Sequence, residues 1–279
     1  MWAQTVKPLT PGSLKSFRDA RERILNRPQQ SPFLRKLKQD PSAILSLGGW
    51  TPDPWQADVL SSESPQIMLL GSRQCGKSFI ASALALRTAL AQPDSLVLIL
   101  SPTLRQSGLF FRKSFLRFWK DLGYPLKGER PNRLEVEFSN GSHVVALPDS
   151  EEGIRGFSGV KLLVIDEASR VSDELYDAVT PMLATSGGKL VALSTPWAKQ
   201  GWFFKAWTNE KRDWKQVEIT AAMCPRISKK FLEKERRKKG DRVYRMEYEC
   251  KFGELSAGYF NPEDIAAALE PDGEIIRLG

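Results

Sequence analysis

The chain has 279 residues, of which 41 are basic and 33 acidic, giving a formal charge of +8 at neutral pH. With 41% apolar and 27% charged residues it has globular composition and enough length for one large core, which excludes general disorder. No apolar run nears the roughly 18–20 residues of a membrane span, and the opening residues lack a secretion-signal stretch. Cys75, Cys224 and Cys250 are odd in number and widely spaced. They form no disulfide framework or close-spaced zinc motif, so a reducing compartment is expected.

The charge is unevenly placed. Residues 1–50 carry nine Lys/Arg against three Asp/Glu, and residues 226–251 carry eleven against five, so each segment is +6 and the remainder is −4. Two basic segments flanking a slightly acidic centre fit either solvated helical faces or contact with a polyanion.

In chain order, a helix is expected over Ser13–Leu25, closed by Pro28 and Pro32. From Gln66 short apolar runs alternate with helix-compatible stretches. Gln66–Leu70 reads as a strand and Lys77–Ala91 as a helix. Leu96–Leu100 is a second strand, followed by a helix near Arg105–Leu122. Leu134–Phe138 and His143–Leu147 flank the turn Ser-Asn-Gly-Ser and read as a hairpin, with His143 structural. Leu162–Ile165 and Leu190–Leu193 are further core strands, with a helix near Asp173–Leu183 between them. Trp214–Ile219 adds another strand, and two charged helices, Ser228–Lys239 and Asp241–Cys250, follow. The alternation predicts an α/β fold with a mostly parallel sheet covered on both faces.

Gly71-Ser72-Arg73-Gln74-Cys75-Gly76-Lys77-Ser78 matches G-x-x-x-x-G-K-[ST] at every fixed position, between an expected strand and an expected helix. In such a loop backbone N–H groups cradle the β-phosphate, Lys77 reaches the β and γ oxygens, and the Ser78 hydroxyl ligates Mg²⁺. Leu162-Leu-Val-Ile-Asp166-Glu167 supplies the matching half, a buried strand ending in two carboxylates that point to different sides. Asp166 would hold Mg²⁺ through water and Glu167 would polarise the attacking water. A glutamate directly after the metal aspartate points to the additional-strand, RecA-like class of P-loop NTPases. Ser194 and Thr195 end the next strand, where their hydroxyls either sense the γ-phosphate or cap a turn. Gln56, fifteen residues before Gly71, either offers its amide to adenine or is a surface residue beside a core Trp55.

Together these motifs resemble the large-terminase family, the ATP-driven motors that pump viral DNA into procapsids. The likeness runs from about Pro52 to Glu254. It includes Gly153-Ile-Arg155-Gly156-Phe157 about ten residues before the carboxylate pair, and the turn Leu193-Ser194-Thr195-Pro196. The resemblance implies Mg-dependent ATP hydrolysis that drives double-stranded DNA translocation. Ser194 and Thr195 would be the coupling motif, Arg155 an arginine finger acting on a neighbouring subunit, and Arg73 a second γ-phosphate contact. Portal and procapsid, the small terminase subunit and a homo-oligomeric ring are the implied partners. The isolated chain is expected to be monomeric and to act in the host cytoplasm and at the portal, with no membrane.

The expected domains are a basic arm over 1–50, an ATPase core over 51–225, a helical lid over 226–256 and a linker remnant over 257–279. Lys229, Lys230, Arg236, Arg237, Lys238 and Lys239 on the lid fit either DNA phosphates or a solvated face with Glu233 and Glu235. Trp197, Trp202, Phe203, Phe204 and Trp207 suit a packed helix face better than base stacking. Family members continue into a nuclease domain that the remaining residues are too few to build, so no nuclease activity is expected of this chain. A helicase-like remodelling ATPase and a truncated regulatory ATP-binding protein are the alternative functions.

Overall fold

Each central strand is a continuous apolar run with no polar alternation, which requires cover on both faces of the sheet. The computed structural model describes residues 32–129, 131–148, 154 and 156–254. Eight strands are seen among these described residues: β1 Gln66–Gly71, β2 Leu96–Ser101, β3 Gly128–Glu129, β4 Glu135–Phe138, β5 His143–Pro148, β6 Val160–Asp166, β7 Lys189–Ser194 and β8 Lys215–Ile219. They form one sheet in the order β3-β4-β5-β2-β6-β7-β1-β8. From β5 to β8 every pairing is parallel, while β3 and β4 are antiparallel additions at one edge. The fold is thus α/β with a mostly parallel sheet. Strand β7 lies between the phosphate-loop strand β1 and the carboxylate strand β6, the arrangement that defines the additional-strand class.

Alternate residues of the buried strands face opposite layers. Ile67, Leu69, Val97, Ile99, Leu162, Val164, Val191 and Leu193 pack under α1 Pro32–Gln39, α2 Ala43–Leu47, α3 Pro54–Ser61 and α4 Lys77–Ala91. The same layer holds α5 Leu104–Leu109, a π-helical turn Phe110–Phe115 and α6 Leu116–Asp121. Met68, Leu70, Leu98, Leu100, Leu163, Ile165 and Ala192 face α7 Asp173–Val179 and α8 Gly201–Asn209. Helix α9, Lys229–Tyr248, contributes Tyr244 and Tyr248 to a small cluster of its own with Ala221.

Three outcomes differ from the sequence expectations. Residues 34, 37 and 43–45 are buried in the first layer, so the described part of the 1–50 arm is continuous with the core. Pro32 opens α1, where a proline without an N–H fits the first helical turn, and does not only end the helix expected before it. That helix, Ser13–Leu25, and the segment 257–279 lie outside the described residues. The single helix expected near 105–122 contains the π turn, which lets Phe110, Phe111 and Phe115 all turn inward. The two expected C-terminal helices occur, joined at Gly240 (φ 76°, ψ 161°), a conformation open essentially to glycine alone.

Candidate functional site

The phosphate loop leaves β1 and enters α4 through two left-handed residues, Gln74 (φ 60°) and Gly76 (φ 100°). Those angles curl the loop so that the N-terminus of the fifteen-residue helix α4 faces the cavity, with unpaired N–H groups and positive dipole. Lys77 is buried and its Nζ donates to the carbonyls of Gly71 and Ser72, both at 2.8 Å, which holds the loop in a closed curve. Gly71 leaves no room for a side chain, since a Cβ there would stand 2.7 Å from the Cys75 sulfur and 2.9 Å from Cδ of Lys77.

Across a cleft of about 440 Å³, residues 73–79 face Asp166, Glu167 and Thr195. Burial, then the adjacent Glu167 carboxylate, push the Asp166 carboxyl up to about 7, while the Lys77 ammonium pulls it down. Glu167 takes a left-handed backbone (φ 51°, ψ 40°), rare for a residue with a side chain, and starts the 3₁₀ turn Ala168–Arg170.

The tip of β7 is tied to the same turn. The buried Ser194 Oγ accepts from the Ser169 backbone N–H at 3.2 Å and lies 2.7 Å from the Ser169 hydroxyl. That hydroxyl donates to the Thr195 carbonyl at 3.0 Å, so the proton between the two serines comes from Ser194. Thr195 Oγ1 stands 3.5 Å from Glu167 Oε2, a long contact.

The remaining expected residues are placed differently. Gln56 is buried at the third position of α3, and its side-chain carbonyl accepts from the Asp53 N–H at 2.9 Å. Its amide nitrogen comes close to the phosphate loop, 3.3 Å from where a Cβ on Gly76 would lie. The surface position expected as one alternative for Gln56 is therefore replaced by a buried helix cap, and the D-x-x-Q pattern at 53–56 is the sequence signal for it. Trp55 is in the core. Arg73 points to α9, where its N–H donates to the Glu247 carbonyl at 2.9 Å and its Nε sits 3.2 Å from the Glu247 carboxylate. Arg155 lies outside the described residues.

On α9, Arg236 is paired with Asp241 at 2.6 Å and Lys239 with Glu235 and Glu247. Lys229, Lys230, Arg237 and Lys238 are exposed, and no ion pair is seen for them among the described residues. Trp202 and Phe203 are core residues, and Phe204 packs on Phe252 at 4.9 Å, while Trp197 is part-exposed beneath the Arg170 guanidinium at 3.8 Å. Glu247, which holds Arg73, and Cys250, whose thiol points at the Leu70 carbonyl at 3.6 Å just before the loop, are neighbours of the phosphate loop that sequence reasoning left out of the site.

The family model described as "Terminase large subunit, T4likevirus-type, N-terminal" matches residues 68–267. The large terminase subunit of Escherichia phage T5 is 25% identical over 232 residues, covering 79% of this chain and 52% of the relative. The chain therefore spans about half the length of that curated relative. Among solved structures, the Thermus phage P74-26 large terminase ATPase domain superposes with a TM-score of 0.64 at 20% identity, covering 75% of this chain and 96% of that one. The large terminase of another thermophilic bacteriophage, solved with ATP-γ-S, gives 0.61 at 14% identity, covering 72% and 53%. The low identities make these two a likeness of fold, which agrees with the strand order above. The family match, spanning most of the chain, settles kinship: the chain belongs to the terminase large-subunit family.

Proposed function

We propose that this chain is a Mg-dependent ATPase whose hydrolysis drives double-stranded DNA through a packaging ring. The observation that carries the reading is the single cleft into which Lys77, Ser78, Asp166, Glu167 and Thr195 converge from three strand ends. The relatives named above as terminases, one of them solved with an ATP analogue, support it.

In this reading the N-terminus of α4 and the loop N–H groups bind the phosphates, and Lys77 neutralises the β and γ oxygens. Ser78 and Asp166 would hold Mg²⁺, which supplies charge neutralisation and orients the triphosphate. A hydroxyl and one carboxylate in the same cleft are hard oxygen donors that fit an ion taking its other ligands from phosphate and water. Glu167, the second carboxylate lining the cleft, accepts a proton from the attacking water. Thr195 and Ser194 pass the state of that carboxylate to β7. Arg155 acts on a neighbouring subunit's cleft, and Lys229, Lys230, Arg237 and Lys238 offer DNA phosphates a salt-sensitive contact. Portal, procapsid and small subunit are the partners of the assembled ring, which works in the host cytoplasm and at the portal.

The test is ATP binding and turnover, with and without DNA and portal-bearing procapsids. Lys77→Ala should lose binding, and Glu167→Gln should keep binding with turnover reduced at least about a hundredfold. Near-normal turnover in Glu167→Gln would sink the assignment of the base.

A further inference from the structure

A buried polar side chain nearly always has a hydrogen-bond partner, so one without a partner calls for a physical reason. Among the described residues, Trp55 Nε1, Arg87 Nε and Ser101 Oγ are buried and unpartnered. Arg87 still bonds the Leu60 carbonyl through Nη1 at 3.1 Å, and the Trp55 ring is otherwise apolar core. Ser101 differs, because the hydroxyl is its whole polar side chain. It is the last residue of β2 and is fully buried. The parallel register of β2 with β6 runs to Leu100 beside Ile165, so the next step along both strands sets Ser101 beside Asp166. The two also share a face. Val97 and Ile99 of β2 pack with Leu162 and Val164 of β6 in the α4 layer, and residues 101 and 166 continue those two alternations. On its other side Ser101 is in register with Pro148 of β5, which has neither an N–H nor a polar side chain. Of the two residues that flank Ser101 across the sheet, only Asp166 has a side chain able to take its proton in a hydrogen bond. Asp166 lines the cleft, and Ser101 stands behind it on the side away from β7.

We propose that Ser101 is a positioning residue for the metal-holding carboxylate: its hydroxyl donates to Asp166 when that carboxylate is charged and turned toward a divalent cation in the cleft. The proposal deepens the reading of the cleft as a Mg–ATP site and rests on it. A carboxylate that serves an ion with one oxygen has lone pairs left on the other. A donor behind it fixes its orientation, as the groups around metal ligands generally do. A hydroxyl with an unspent proton suits that place. Left unpaired it destabilises the fold, and pairing removes the penalty, so the difference adds to the affinity for the ion. Ser101 itself touches neither ion nor nucleotide in this scheme; it acts through Asp166 alone.

The experiment uses the whole chain with Mn²⁺ as the probe. Protein-bound Mn²⁺ in the presence of ADP is followed by electron paramagnetic resonance, with Mn²⁺ and ADP alone as the reference. Binding of a fluorescent ATP analogue in excess chelator reports the nucleotide site without metal, and thermal denaturation reports the fold. Ser101→Ala should weaken Mn²⁺ binding at least about tenfold, the size of effect usual for a group that supports a metal ligand. It should leave metal-free analogue binding unchanged. It should also melt at the wild-type temperature or above, because it removes an unpaired buried hydroxyl. A merely structural serine would not separate these three readouts. Wild-type Mn²⁺ affinity in Ser101→Ala overturns the proposal and leaves the Mg–ATP reading standing. So does a fall in melting temperature that takes metal-free analogue binding down with it. A wild-type chain that binds no Mn²⁺ with ADP overturns that reading and the proposal together.

Discussion

Arg73 in the phosphate loop is held twice by Glu247 of α9, through a backbone N–H to carbonyl bond of 2.9 Å and a guanidinium–carboxylate contact of 3.2 Å. The contact continues along the helix: Glu247 also pairs with Lys239, which bonds Glu235 at 3.2 Å, and Glu235 accepts from the Tyr248 hydroxyl at 2.9 Å. Arg73 is more than half exposed, so solvent screens the pair and its contribution to stability stays below about 1 kcal/mol. Its importance lies in where it holds the guanidinium. Glu247→Ala should leave the melting temperature nearly unchanged. It should tighten ATP binding by roughly three- to tenfold, because phosphate no longer competes with a carboxylate for Arg73. Titration calorimetry beside thermal denaturation separates the two effects, and an unchanged Kd would confine Arg73 to bracing the helix.

The serine pair at the end of β7 makes a different forecast. Ser194→Ala removes the acceptor of the part-buried Ser169 N–H and the donor to the Ser169 hydroxyl, which keeps its own bond to the Thr195 carbonyl, so the change should cost about 0.5–1.5 kcal/mol in urea unfolding. Thr195→Val keeps the shape and removes only the hydroxyl facing Glu167. It should lower kcat by roughly tenfold with KM for ATP unchanged. A rise in KM with kcat intact would place Thr195 in ground-state binding.

Two glycines set the loop's tolerances. Gly71→Ala puts a methyl within 2.7 Å of the Cys75 sulfur and 2.9 Å of the Lys77 chain, so the lysine must leave its carbonyl bonds. ATP binding should be lost in a protein still folded by circular dichroism. Gly76→Ala meets no hard contact, the nearest atom being Gln56 Nε2 at 3.3 Å, but pays for a left-handed φ of 100°. It should lose about 1–2 kcal/mol of stability.

Asp173 joins two helices on the other face of the sheet. Its carboxylate accepts from the Trp202 backbone N–H at 2.6 Å and from Lys205 at 2.9 Å, and Lys205 first, then that N–H, hold its pKa below the usual carboxylate value. A depressed folded pKa means the stabilisation is complete above the unfolded value and disappears as pH falls through the folded one. Asp173→Asn should therefore be less stable by about 1 kcal/mol at pH 7, a figure already reduced for solvent exposure. The gap between variant and wild type should close in strongly acidic buffer, as read from urea midpoints across pH.

Much of this architecture is legible in the chain because it is local. The apolar runs at 66–71, 96–101, 160–166 and 189–194 can only be buried strands, and the loop at 71–78 announces itself by residue type and spacing. What escapes is whatever depends on sheet order. The Cys250 thiol meets the Leu70 and Ile219 carbonyls, and Arg73 meets Glu247, only because β8 is laid beside β1 and α9 follows from it, and no spacing rule records that. The π turn at Phe110–Phe115 is hidden for another reason, since its aromatic run satisfies an ordinary helical period nearly as well.

The interposed position of β7 has a mechanical meaning. Phosphate loop and carboxylates grow from strands that share no hydrogen bond, each bonded instead to an opposite edge of β7. Any relative slip between the two halves of the cleft must therefore shear one or both of those parallel ladders, whose shared member ends in Ser194. A stiff intermediary of this kind transmits displacement and hardly absorbs it. The free end of β7, where Ser194 and Thr195 lie, is thus the point at which events on one bank of the cleft are delivered to the other.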